Sequence, residues 1–318
     1  MSYDSPWKEG ICRYFRQFLE FFFPEVAAEV DWEAGWDLLD TELRQITREA
    51  ETGERRADTL VRVRRRQGDL ALVLIHVEVQ NQVDADFPQR MLVYHYRIFD
   101  YYRLPVCSLA ILGDSAGDWR PASYRHSLWG CQLQLDFPIV KLTDFKGRVE
   151  ELSQDPNPFG LIVAAHLEAQ ATRPDTPRRR HAKLRLVRRL YQRGATKEEV
   201  LELFRLIDWI LELSGQNDGQ FLQDLAEYEQ EVCMTYITSV ERHGIEIGLQ
   251  QGREEGRLAG LREATLKILS RRFGPPSEEL VARFQAITEP ARLDDLVVAA
   301  ASEPSWEAFL SVLAGPEG

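Results

Sequence analysis

The chain has 318 residues, 44% of them apolar, a net charge of −12 and four cysteines. That length buries one sizeable core with one or two smaller modules, and the acidic balance argues against indiscriminate nucleic-acid binding, because phosphate neutralisation supplies most of that affinity. Cys12, Cys107, Cys131 and Cys233 are scattered and form no paired ligand motif, no charged-then-apolar leader is present, and no apolar run nears the roughly 20 residues that span a bilayer. The expectation is a cytoplasmic protein with buried thiols and no membrane partner.

In chain order, Ser5 is a credible N-cap with Pro6 at the first helical position. Trp7, Ile11, Tyr14, Phe15, Phe18 and Phe22 then recur at helical spacing until Pro24 ends the helix. A poorly patterned first strand is expected around Leu43 to Arg48. Clearer strands follow at Asp58 to Arg65 and Leu70 to Gln80, joined by a turn at Gln67-Gly68-Asp69 and therefore antiparallel. A period of two puts Leu72, Leu74, His76, Glu78 and Gln80 on one face of the later strand, with Val73, Ile75, Val77 and Val79 on the other. Aliphatic residues on both faces mark an interior strand, so a carboxylate near its end is costly unless it is paired, metal-bound or facing a cleft. The hairpin can bring Asp58 and Glu78 onto one divalent metal; the plainer alternative makes them surface or edge groups. Met91, Tyr94, Ile98 and Tyr101 predict a helix over Phe87 to Tyr102, and Val106 to Leu112 predicts a buried strand stopped by Gly113-Asp114.

The stretches Asp58-Thr-Leu-Val-Arg-Val, His76-Val-Glu-Val-Gln-Asn-Gln and Arg90-Met-Leu-Val-Tyr-His-Tyr-Arg carry a resemblance that continues from Asp208-Trp-Ile to Tyr236-Ile-Thr-Ser-Val-Glu-Arg. Over most of its length the chain resembles the PD-(D/E)XK nuclease superfamily, in its recombination-promoting nuclease (Rpn) branch. The resemblance implies an α/β fold, with a restriction-endonuclease-like αβββαβ core over residues 1–150 and an all-helical C-terminal region. It implies a metal-dependent DNA endonuclease in which Asp58, Glu78 and the carbonyl of Val79 hold Mg²⁺ or Mn²⁺. Gln80 stands where the motif usually has Lys; it can orient a water or a phosphate oxygen but brings no charge, so Gln80→Lys is expected to keep or raise activity. Glu9 takes the place of a supporting acid on the first helix, or is a solvated first-turn Glu. His76 either bonds Glu78 or a phosphate, or is a satisfied buried histidine. Arg90 and Arg97, on the helix after the site, are candidate phosphate contacts. The competing reading is a catalytically inactive DNA-binding or protein-interaction scaffold, which an acidic chain with Gln for Lys would also fit.

Residues 151–243 are expected to be helical. Between Arg173 and Lys197 lie ten Lys or Arg residues against the single acid Asp175. Leu184, Val187 and Leu190 give this segment an apolar stripe, leaving Arg178, Arg179, Arg180 and Lys183 as the candidate DNA-binding face, or as an ordinary solvated one. Gly244, Gly248, Gly252, Gly256 and Gly260 recur every four residues over 244–260. That ladder is read as a hinge-like helix, with close self-association into a homo-oligomer as its alternative. A small helical module is expected over 261–318.

Overall fold

The computed structural model describes residues 4–39, 59–66, 72–214 and 216–232, then 258, 260–262, 264–274, 276, 280–281, 283–284, 287 and 289–314. The described residues up to 232 belong to one compact unit and those from 258 to a second. The first unit includes both the sheet and the helices that follow it. Asp58, the expected strand at 43–48, the turn at 67–69 and the glycines at 244, 248, 252 and 256 lie outside the described residues.

Where one N-terminal helix was expected up to Pro24, there are two, α1 (Asp4–Arg13) and α2 (Phe15–Phe22), and a third, α3 (Pro24–Glu29), follows. At the break between α1 and α2, the Tyr14 hydroxyl donates to Glu202 Oε2 at 2.9 Å. Pro24 both stops α2 and opens α3, because it offers no N–H to the preceding turn and its fixed φ suits a first helical turn.

The first described strand is β1 (Trp36–Leu38), ahead of the position expected from the sequence. It is followed by β2 (Thr59–Arg64), β3 (Leu72–Gln80), α4 (Phe87–Tyr102) and β4 (Val106–Leu112). A hairpin, β5 (Ser123–Leu128) and β6 (Cys131–Asp136), precedes a short β7 (Ile139–Lys141). The main sheet is mixed, in the order β1-β2-β3-β4-β7. As expected, β2 pairs antiparallel with β3, with Thr59 opposite Val77; β3 and β4 are parallel, with Gln80 opposite Leu112. The separate hairpin was not anticipated. Its two-residue turn puts Trp129 at φ 50° and Gly130 at φ 84°, the left-handed pair that matches the twist of a tight hairpin.

The two faces of β3 are covered as the period of two requires. On one, α4 closes the sheet through a cluster of Leu39, Leu60, Leu74, Tyr94 and Ile98 and another of Phe87, Met91, Ala110, Leu112 and Phe137. α1 also lies against β2 and β3. Its Trp7 packs on Phe22 and Phe159 with centroids 6.0 and 6.1 Å away. The helical layer consists of α5 (Val149–Gln154), α6 (Pro158–Ala171), α7 (Pro177–Gln192), α8 (Lys197–Ile210) and α9 (Gln216–Glu231). α6 is apolar almost all round and is accordingly its buried member.

In the second unit, residues 264–273 are helical and Gly274 takes φ 91°, the left-handed turn that ends a helix. α10 (Pro290–Ser302) and α11 (Trp306–Ala314) follow. Leu269, Phe284, Leu293, Leu296 and Phe309 form its core. Gly260 is helical, and a Cβ there would meet nothing within 4 Å. No helix among the described residues is long and apolar enough to cross a membrane.

Candidate functional site

Glu78 is fully buried near the C-terminal end of β3. Its Oε1 accepts a hydrogen bond from Arg90 Nε at 3.0 Å. The same guanidinium donates to Gln80 Oε1 at 2.9 Å and to Asp84 Oδ2 at 2.7 Å. Three side-chain oxygens thus converge on one planar cation, which also lies 5.2 Å from the Phe87 ring centroid. The chain builds this locally. Glu78 and Gln80 share a strand face, Asp84 lies in the following turn with its Oδ1 accepting from the Asp86 N–H at 3.0 Å, and Arg90 comes round in the first turns of α4. Burial works against the Arg90 charge, but the attraction of Glu78, with the hydrogen bonds and charge of Asp84, outweighs it and raises the Arg90 pKa.

Gln80 is held at both ends, since its Nε2 also donates to the Gln82 carbonyl at 2.6 Å. It was expected to orient water or phosphate; in this arrangement it positions Arg90. His76 is fully buried with Nε2 at 3.7 Å from Glu78 Oε2 and its ring edge-on to Tyr94. Ser108 Oγ lies between the two imidazoles, 3.4 Å from His76 Nδ1 and 3.1 Å from His95 Nδ1. Burial, followed by the neighbouring His76, lowers the His95 pKa.

The metal donors expected beside Glu78 are only partly in view. Thr59, the residue after Asp58, stands opposite Val77, the residue before Glu78. The Gln80 carbonyl accepts from the Gly113 N–H on the β4 side. Carbonyls alternate in direction along a strand, so that of Val79 turns toward β2. Among the described residues, no group of three or more His, Cys, Asp or Glu side chains is placed to hold a metal ion. The donors gathered around Arg90 are nonetheless all oxygens, carboxylate and amide, which is the set that Mg²⁺ or Mn²⁺ selects.

Several candidates are placed elsewhere. Glu9 pairs with Arg205 of α8, on the side of α1 that meets that helix. Arg90 is only 8% exposed, and each of its three guanidinium nitrogens donates to a side chain of this chain, so it faces inward. Arg97 is half-buried on α4. On the basic helix α7, Arg178 is exposed and Arg180 half-buried beside Asp224, but Arg179 and Lys183 are buried. Arg179 donates to the carbonyls of Ala169, Thr172 and Glu212, closing the C-terminal end of α6. Lys183 pairs with Asp208 at 2.5 Å and lies over the Phe221 ring. The signal was present, since Arg179 and Lys183 fall at helical spacing ahead of Val187 and Leu190 and so continue the apolar stripe. The outward face of α7 carries Arg178, His181, Arg185 and Arg188 instead.

Sequence reasoning also missed Asp84, whose position two residues before the N-cap Asp86 of α4 was its available clue. It missed a buried pair one strand further on, where Lys141 reaches Asp114 Oδ2 at 2.5 Å. No protein-family model, curated protein or solved structure matches the chain.

Proposed function

We propose that this chain is a metal-dependent DNA endonuclease of the Rpn type, hydrolysing phosphodiester bonds, with Asp58, Glu78 and the Val79 carbonyl as ligands for Mg²⁺ or Mn²⁺. The observation that carries this reading is a fully buried carboxylate near the end of an interior strand, in a cluster of side-chain oxygens already built around a cation. Such a carboxylate is expensive for a fold to keep without a partner of opposite charge. When bound, the metal lowers the pKa of a water and offsets charge on the phosphate. Glu78 contributes the negative charge that attracts the ion, and Gln80 fixes the guanidinium beside it. Before metal enters, that guanidinium supplies the positive charge beside Glu78 that Gln80 lacks, although it cannot exchange a proton. The exposed basic stripe of α7 is the proposed DNA-backbone surface.

The second reading, an inactive DNA-binding or protein-interaction scaffold, has its own observation: Arg90 already neutralises Glu78 without a metal. Incubation with supercoiled plasmid separates the two. The nuclease reading expects nicking with Mg²⁺ or Mn²⁺, loss with chelator, and loss in folded Glu78→Gln and Asp58→Asn. Equal plasmid profiles for wild type and both variants leave the scaffold.

A further inference from the structure

We propose that Arg90 is the residue that sets the cation affinity of this site, because its guanidinium competes with the divalent ion for Glu78. The inference rests on the metal reading given above and goes beyond it by naming the internal competitor. Arg90 Nε is 3.0 Å from Glu78 Oε1, so a metal ligated by that carboxylate would meet a guanidinium at hydrogen-bonding range of its own ligand. Two cations on one buried carboxylate repel each other strongly where water screens little. The guanidinium therefore gives up its bond to Glu78 when metal enters. Asp84 offers it somewhere to stay: the Asp84 side chain is 21% exposed against 0% for Glu78, and it already accepts from Nη1 at 2.7 Å. Arginine keeps its charge across the whole working pH range, so this competition does not switch off near neutrality as a histidine's would. The affinity of the wild-type site is thereby reduced by the free energy needed to move Arg90 aside.

The test uses the full chain and Mn²⁺ alone, with binding read from the electron paramagnetic resonance of free Mn²⁺ and, independently, from the rise in melting temperature at saturating Mn²⁺. The variants are Arg90→Met, Arg90→Lys, Glu78→Gln and the double variant Arg90→Met with Glu78→Gln. Arg90→Met is expected to bind Mn²⁺ about tenfold or more tighter than wild type and to gain more melting temperature from it. Arg90→Lys, which keeps one charge but not the three-way fork, is expected to fall between them and provides the comparison if Arg90→Met does not fold without metal. The double variant is expected to lose the gain. If wild type binds Mn²⁺ through Glu78 and neither Arg90 variant binds tighter, the competition is wrong and the metal reading stands. If no variant shows Glu78-dependent binding, both fall.

Discussion

Arg90 and Glu78, 12 residues apart, join α4 to β3 through one buried N–H···O bond of 3.0 Å. Their loss is not symmetric. Arg90→Met leaves a carboxylate in the sheet interior without its guanidinium, a change that costs about 3–5 kcal/mol. Glu78→Gln keeps an acceptor for Nε and leaves Asp84 to balance Arg90, so a loss of about 1–2 kcal/mol is expected. Urea unfolding of the two variants in metal-free buffer measures both; equal losses would show that charge is not what the pair supplies.

Gln80 bears on the same pocket, and its geometry reverses an expectation. From the motif alone, Gln80→Lys restores a familiar charge and should maintain activity. In the structure the Gln80 oxygen accepts from Arg90 at 2.9 Å, so a lysine would set one cation against another with no acceptor left for Nη2. A loss of about 1–3 kcal/mol and lower nicking activity are expected. A Gln80→Lys protein as stable and active as wild type would return Gln80 to the role of a simple orienter.

The elements around this pocket were legible because their periods are strong. Phe87–Tyr102 and Val106–Leu112 fall where the spacing predicts, and the even-numbered residues of β3 do meet α4 as one face. The break at Tyr14 and the hairpin were not legible. At the first, the contact Tyr14 makes is with Glu202, a residue distant in sequence, and the second consists of short, largely exposed strands with a weak apolar period, although Leu135 packs against the Phe87 cluster. Candidate acids could be named from spacing, but the cation that holds Glu78 could not. An arginine on a helix is ordinarily a surface residue, and only the fold shows Arg90 turned inward.

The outward face of α7 gives a direct contrast. Replacing Arg178, Arg185 and Arg188 by Gln is expected to weaken DNA binding equally across sequences and to flatten its salt dependence, by roughly 0.9 in log-log slope for each phosphate that is no longer neutralised. Arg179→Gln and Lys183→Gln are expected to lower the melting temperature instead, because Arg179 caps α6 and Lys183 balances Asp208. Titration of a fluorescent duplex at several salt concentrations decides the matter. An unchanged slope in the triple variant makes that face merely solvated.

His166 supplies a pH dependence whose sign can be worked out. It is buried on α6, where Trp7 Nε1 donates to its Nδ1 at 3.3 Å and its Nε2 lies 2.8 Å from the Gly113 carbonyl. Since the indole can only donate, Nδ1 accepts, and the neutral ring carries its proton on Nε2. Burial drives the pKa from 6.5 down to about 4, against a smaller upward pull from the Gly113 carbonyl. The unfolded chain therefore binds a proton that the folded chain refuses. The stability His166 provides is present above pH 6.5, is lost as pH falls, and levels off below about pH 4. The slope is about 1.4 kcal/mol per pH unit, or about 3 kcal/mol across the window. His166→Gln should cost about 1–2 kcal/mol at pH 7 through its poorer hydrogen bonds, yet lose less than wild type between pH 7 and pH 4.5. Urea midpoints for the two proteins across that range measure the difference, and parallel curves would show that His166 does not titrate with folding.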